Sequence, residues 1–161
     1  MSFETSYSEE CCPVFEPKNW DEKVFEWQNK NFIKDKVFSM FYVPMNFGAA
    51  MKRIDEKVSK AGAKSKDGLC LTNYTSKWNL ELFYAVDKII PDAENTTLSG
   101  KFFSKVYEGS YKEIDGWIKQ FINISKSKDY EIGKIYLWYT TCPKCVKKHG
   151  KNYVVLFNQM K

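Results

Sequence analysis

Two kinds of hydrophobic pattern alternate along the first half of the chain. Residues 36–43 are rich in β-branched and aromatic side chains, which predicts a strand. Asn46 is a candidate N-cap for a following helix. The apolar residues of this helix recur at three- and four-residue steps and form one face: Phe47, Ala50, Met51, Ile54, Val58 and Ala61. Gly62 is expected to end the helix, and residues 69–74 and 80–86 are predicted strands.

The second half repeats this pattern. Residues 101–107 predict a strand, and Ser110 is the expected cap of the next helix. The apolar face of that helix contains Tyr111, Ile114, either Trp117 or Ile118, Phe121 and Ile122. Residues 134–139 and 152–157 predict the closing strands. Gly109 permits a tight backbone at the corner 107–110, where strand turns into helix, and residues 43–46 are its counterpart.

Strand, helix, strand, strand therefore occurs twice, with starts about 65 residues apart. Because two such units bury their apolar faces together, the expected fold is α+β. It is a duplicated β-α-β-β repeat that forms one antiparallel sheet, with two helices packed on one face and pseudo-two-fold symmetry. The domain is expected to span residues 35–161, with repeats at about 35–90 and 98–161.

Residues 1–34 are expected to form an N-terminal arm that packs on this body. Pro13 and Pro17 interrupt regular structure, while Phe15, Trp20 and Trp27 are large enough to need covering. One helical turn is expected near residues 21–28.

Composition and charge limit the classes of partner that are expected for this chain. Aromatic residues make up 17% of the 161 residues, more than a small core needs, and the net charge is +5. All acids precede Cys142, Arg53 is the sole arginine, and five lysines follow Cys142, so the basic excess is local. A nucleic-acid partner is therefore not expected. The N-terminus lacks the pattern of a secretion signal, no stretch is long enough to cross a membrane, and the five cysteines are odd in number, which indicates a cytoplasmic chain.

Two runs carry a resemblance to a known family. They are residues 98–111, LSGKFFSKVYEGSY, and residues 139–157, YTTCPKCVKKHGKNYVVLF. Together with the strand-to-helix corner followed by Trp117, they resemble stand-alone bacterial members of the GyrI-like small-molecule-binding domains. That family is related to the SOUL proteins and to effector domains of multidrug regulators. The chain departs from the family pattern at Ser110, where proline is usual, and at residues 43–46, which lack the glycine-tyrosine of the first repeat.

The resemblance implies an aromatic-walled groove between the two repeats, beside an acid on a central strand. Glu81 is the candidate acid, because it shares a strand face with Phe83 and Ala85 by period-two alternation. It is interpreted either as an exposed strand-end acid or as a pocket acid that attracts cations or acts as a general base. The candidate groove residues, each with core packing as the alternative, are Phe41, Trp78, Phe83, Phe103, Tyr107, Tyr111, Trp117, Tyr136, Trp138 and Tyr139.

The sharpest local motif is Cys-Pro-Lys-Cys at residues 142–145. It is interpreted as hairpin structure, as a metal site or as a redox pair. The candidate metal ligands are Cys142, Cys145, Cys11, Cys12 and His149. His149 has no acid nearby in sequence to orient it, which argues against a Ser-His-Asp hydrolase, and Cys70 is expected to be an inert core thiol. No phosphate-binding loop occurs, and no cofactor is expected.

The predicted function is binding of bulky hydrophobic or amphipathic small molecules, for sequestration or detoxification. The first alternative is a hydrolase that acts on a strained or activated small molecule with Glu81 as general base; some proteins of the resembling group carry a generic hydrolase label. The second alternative is a protein-interaction module of the gyrase-inhibitor kind, with a protein partner.

Overall fold

The computed structural model describes residues 15–40, 43–44, 47–64, 68–76, 78–140 and 153–161. These residues form seven strands: β1 Lys23–Met40, β2 Val43–Pro44, β3 Cys70–Ser76, β4 Asn79–Ala85, β5 Glu94–Glu108, β6 Lys134–Tyr139 and β7 Tyr153–Gln159. They also form two α-helices, α1 Phe47–Lys60 and α2 Ile114–Ser127, and two short 3-10 turns, Pro17–Asn19 and Tyr111–Glu113. Neither helix within the described ranges has the length and apolar composition needed to span a bilayer.

The predicted fold class, an α+β fold of duplicated β-α-β-β units with two helices covering one face of a sheet, is wrong. Strands account for 49% of the described residues, against only two helices among them, so the fold is sheet-dominated. The fold-class prediction failed because two strands are longer than the sequence pattern indicated. β1 begins at Lys23 rather than residue 36, and β5 begins at Glu94 rather than residue 101.

The helical turn predicted near residues 21–28 is also wrong, because β1 already occupies that segment. Phe25 and Trp27 are partly covered while their neighbours Glu26 and Gln28 are exposed, which is the alternation of a strand. A left-handed residue, Asn29 (φ +53°), interrupts the strand without ending it, since asparagine tolerates this conformation. Its amide N–H donates to Ser99 Oγ at 2.8 Å.

The chain divides into two compact units, and the boundaries fall inside β1 and β5. The mid-chain unit, Trp27–Ser99, contains an antiparallel sheet in the order β2-β1-β4-β3. Helix α1 covers the sheet face that carries Asp35 and Cys70: Arg53 binds Asp35, and Cys70 Sγ lies 3.9 Å from Met51 Sδ. The buried residues Ala50, Ile54 and Val58 form the helix's contact stripe, as predicted.

Gly62 ends α1, as predicted. Its φ of +65° is left-handed, its N–H donates to Ser59 O at 3.0 Å, and the next N–H, of Ala63, donates to Val58 O at 3.0 Å. This is the paired hydrogen bonding of a Schellman cap. It aims the chain back toward β3.

The terminal unit, Met1–Glu26 with Gly100–Lys161, contains a sheet in the order β6-β7-β5. Helix α2 covers one face through Phe121, which stacks on Phe103 with ring centres 5.4 Å apart. On the opposite face Trp20 meets Trp138 edge-on at 4.9 Å. Ser104 Oγ donates to the Trp20 carbonyl at 2.5 Å, so residues from both ends of the chain complete this unit.

A reciprocal pair of hydrogen bonds builds the corner before α2. Ser110, the predicted cap, accepts a hydrogen bond from the Lys112 N–H at 3.2 Å, and its own N–H donates to Glu113 Oε2 at 3.0 Å. The pair is similar to a capping box, but Ser110 bonds the second N–H rather than the third and caps the 3-10 turn, while the N-cap residue of α2 itself is Glu113. Gly109 (φ +149°) precedes the pair, and a Cβ there would collide with the Glu113 carboxylate. Glycine is therefore required both by the backbone and by the cap.

Candidate functional site

The mid-chain unit has a sheet face turned away from α1, and it combines charge with exposed apolar side chains. In the β1–β4 register Lys34 lies opposite Phe83, Lys36 opposite Glu81 and Phe38 opposite Asn79. Cross-strand partners point to the same side of a sheet. We call the surface formed by Lys34, Lys36, Phe38, Met40, Glu81 and Phe83 the Lys34 face.

Glu81 is not a lone acid. Its Oε2 lies 3.2 Å from Lys34 Nζ, and the same ammonium lies 3.5 Å from Glu94 Oε2. The side chains of Lys34 and Glu81 are 25% and 18% exposed. The hydrogen bond from the ammonium to Glu81 is the main cause that raises the pKa of Lys34, which therefore stays protonated. Pairing lowers the cost of placing both charges on a partly covered strand face.

Lys34 was not among the site residues predicted from the sequence. The ring of Phe83 lies 5.3 Å from its Nζ, so the ammonium sits over an aromatic face as well as between two carboxylates. A signal was present: Lys34 follows Phe32 and Ile33 and precedes Val37, so it is a lysine inside a strand-forming run. Strand pairing alone gives it a partner 47 positions later, since 81 − 34 = 47.

Exposed apolar side chains lie at the end of this face. Phe38 is 49% and Met40 44% exposed. Both follow Lys34 and Lys36 at two-residue steps and therefore lie on the same side of β1. Trp78 is also exposed (40%), but its carbonyl accepts the Ser39 N–H at 2.8 Å, so its backbone pairs with Ser39 and not with Phe38 or Met40. Charge and exposed apolar area within one short stretch of sheet suit an amphipathic ligand.

The other predicted site residues are distributed over several surfaces. Phe83 is buried against Phe32. In the terminal unit Phe103, Tyr107 and Trp117 lie on the α2 side of the sheet, whereas Tyr136 and Trp138 lie on the opposite side, toward Phe157. Within that unit these five rings therefore do not share one wall.

Tyr107 has an unusual environment. Its ring stacks on Trp117 with centres 5.5 Å apart, and its buried hydroxyl has no hydrogen-bond partner among the residues that the structure describes. The pKa of Tyr107 is raised to about 12, mainly by burial and also by the nearby carboxylates of Asp21 and Glu22.

Several predicted residues fall outside the described ranges. They are Phe41, Cys11, Cys12, Cys142, Cys145 and His149, and of Tyr111 only the backbone is described. The metal and redox interpretations of residues 142–145 therefore remain predictions. In the rest of the chain, no cluster of three His, Cys, Asp or Glu side chains is arranged to hold a metal ion. Cys70 is buried, as predicted, and burial raises the pKa of its thiol to about 12.

A separate hollow of about 430 Å³ lies at the C-terminal half of α1. Its lining residues are mostly charged and exposed: Arg53, Glu56, Lys57, Lys60, Ala61, Pro91 and Asp92. The guanidinium of Arg53 is already engaged by Asp35, with Nε 3.1 Å from Oδ2. This surface offers little apolar area to a bulky ligand.

Comparisons with known proteins give a family and a fold. A family model described as "Bacterial hydrolase" matches residues 3–160. The structure is similar to the crystal structure of the EcmrR C-terminal domain, with a TM-score of 0.63 and 9% sequence identity over 88% of this chain and 98% of that one. That likeness concerns the fold alone, and it supports the fold-level part of the GyrI-like resemblance, while membership in that family stays a prediction. No curated protein matches the sequence.

Proposed function

The chain belongs to the bacterial hydrolase family. We propose that this family member binds bulky amphipathic small molecules on the Lys34 face. The observation that carries the proposal is the placement of the Lys34–Glu81 pair on the same strand face as exposed Phe38 and Met40. A ligand with an apolar body and a polar group would cover the side chains at one end and meet the charges at the other. Sequestration or detoxification is the role we propose for this binding.

The expected affinity is moderate. Burying about 300 Å² of apolar ligand surface at roughly 25 cal/mol per Å² yields about 7 kcal/mol. Losing translational and rotational freedom costs several kcal/mol, and the paired charges on the face must be partly desolvated. Dissociation constants near ten micromolar are therefore expected, which suits a binder that accepts many ligands.

Binding is tested with a panel of amphipathic dyes and bile-acid-like detergents, by thermal shift and by tryptophan fluorescence. Phe38→Ser should weaken binding about tenfold, the equivalent of about 1.4 kcal/mol. Val24→Ser, which removes a similarly exposed side chain fourteen residues earlier on β1 (38 − 24), is the matched control and should leave affinity unchanged. No binding by any member of the panel would end the proposal.

Hydrolysis of a small molecule is the second candidate function. The family description favours it, and Glu81 offers a carboxylate that lies 3.2 Å from the Lys34 ammonium, which suits a general base. Glu81→Gln separates the two functions, because it should abolish turnover and leave the binding of uncharged ligands largely intact.

A further inference from the structure

We infer that Lys34 is a catalytic cation that binds the carbonyl oxygen of a carboxylic ester or lactone, so that Lys34 and Glu81 together hydrolyse such esters on the Lys34 face. The inference rests on the proposed function, because the ester must first bind there.

The Lys34 ammonium has one N–H donor that remains for a ligand. An ammonium has three N–H donors, and the carboxylates of Glu81 and Glu94 lie within 3.5 Å of Nζ. Among the described residues no acceptor takes the third donor. The side chain is 25% exposed, so this donor can meet a ligand at the open side of the ammonium, away from the buried Phe83 ring.

Stability does not explain a charged pair at this position. Exposed and partly exposed ion pairs contribute little, and ordering a long lysine side chain opposes folding. Around Lys34 the same face is built from buried apolar residues, Phe32, Leu71, Phe83 and Ala85. An apolar side chain at residue 34 would extend that cover, so the lysine calls for a functional explanation.

Lys34 and Glu81 have different roles in the proposed reaction. Because the pKa of Lys34 is raised, chiefly by its hydrogen bond to Glu81, the lysine keeps its proton and cannot act as a base. The Glu81 carboxylate can accept a proton. A base and a fixed cation 3.2 Å apart are a suitable pair for attack of water on a carbonyl, where negative charge develops on oxygen.

The reaction balances with water as the sole co-reactant. Glu81 accepts a proton as the water oxygen bonds to the carbonyl carbon, and the C=O electron pair moves onto the oxygen, where Lys34 binds it. The bond from carbon to the alkoxy oxygen then breaks, and the leaving alkoxide takes the proton from Glu81. A carboxylic acid and an alcohol are released, nothing is oxidised or reduced, and Glu81 is again a carboxylate.

The reaction is tested with 4-nitrophenyl octanoate and 4-nitrophenyl butyrate as chromogenic esters. The wild-type protein should release nitrophenolate above the buffer rate, with the octanoate preferred because its chain covers Phe38. Lys34→Met should lower kcat at least tenfold with little change in KM, since the lost contact forms mainly in the transition state. Lys34→Arg should retain part of the activity, and Lys52→Met, an exposed lysine on α1, should retain all of it.

Binding is measured separately with the matching ketone, in which a methylene group replaces the ester oxygen. If the ketone binds and the wild-type protein hydrolyses neither ester, or if Lys34→Met remains fully active, the inference is overturned and the proposed binding function stands. If neither the ketone nor the dye panel binds, the proposed function itself fails. If Lys34→Met does not fold because the Glu81 and Glu94 carboxylates then repel each other, the double variant Lys34→Met with Glu94→Gln removes that repulsion. This double variant is then measured in place of the single one.

Discussion

At the scale of single residues, the hydroxyl of Tyr107 works against the folded state. It is buried without a hydrogen-bond partner among the described residues, and Ser125 Oγ shares that condition. An unsatisfied buried hydroxyl costs about 1–3 kcal/mol. The stacking of Tyr107 on Trp117 keeps the ring in place, so the fold tolerates the hydroxyl rather than depending on it.

Replacing Tyr107 by phenylalanine should therefore raise the free energy of unfolding by about 1 kcal/mol at pH 7. The alkaline behaviour should change as well. The unfolded chain loses the tyrosine proton near pH 10 and the folded chain only near pH 12. The free energy of unfolding of the wild-type protein therefore falls as pH rises through this window. The variant has no Tyr107 proton to lose, so its free energy of unfolding should fall less.

Urea unfolding at pH 7 and pH 11 measures both effects. Tyr136→Phe is the matched control, because the Tyr136 hydroxyl hydrogen-bonds to Gln159 Oε1 at 3.2 Å and its removal should destabilise the protein. A loss of stability in Tyr107→Phe at pH 7 would show that this hydroxyl has a partner.

At the scale of elements, the entry to α2 depends on one backbone conformation. Gly109 at φ +149° lets the Ser110–Glu113 pair close against the strand end, with the Trp117 ring close by. A side chain there would meet the Glu113 carboxylate and strain the backbone, so the cap and the helix would both be disturbed.

Gly109→Ala should accordingly destabilise the protein by about 2–3 kcal/mol. Gly116→Ala, in the first turns of α2, is the matched control: a Cβ there meets nothing within 4 Å, and the change should stabilise the helix by up to about 1 kcal/mol. Thermal unfolding followed by circular dichroism compares the two. Equal effects of the two substitutions would contradict the role given to the corner.

At the scale of the whole molecule, the two ends of the chain belong to one compact unit. Trp20 packs against Trp138 and Phe157, and Asp21 Oδ1 accepts the Val106 N–H at 3.1 Å. Lys105 adds ion pairs to Asp21 and Glu22 at 3.6 and 3.4 Å. The N-terminal segment is therefore part of the fold of this unit.

Trp20→Ala should lower the free energy of unfolding by about 2–4 kcal/mol, since it removes a large ring from an aromatic cluster. Val24→Ala, an exposed position in the same unit, should change it by less than about 0.5 kcal/mol. Urea unfolding monitored by the remaining tryptophans gives both values. A Trp20→Ala protein as stable as the control would mean that the segment lies on the unit without supporting it.

Local sequence predicted the elements well where a single stretch decides them. Residues 134–139 were predicted as a strand with the observed bounds, and Gly62 ends α1 as expected, whereas Ser110 caps the 3-10 turn before α2 rather than α2 itself. The prediction was wrong for residues 21–28 and for the fold class. Pro13 and Pro17 before this segment and the scattered rings around it resemble an irregular arm, whereas the structure begins β1 at Lys23.

Short stretches of sequence predicted the two helices, the end of α1 and the strand at residues 134–139, because alternation, three- and four-residue spacing and caps act between residues a few positions apart. The starts of β1 and β5, the contact of Lys34 with Glu81 and Glu94, and the placement of Tyr136 and Trp138 on the face opposite Tyr107 depend on the folded sheet. The register between strands sets those contacts, and a shift of one residue would exchange every side chain between the two faces. That register depends on packing over the whole sheet, which no short stretch contains.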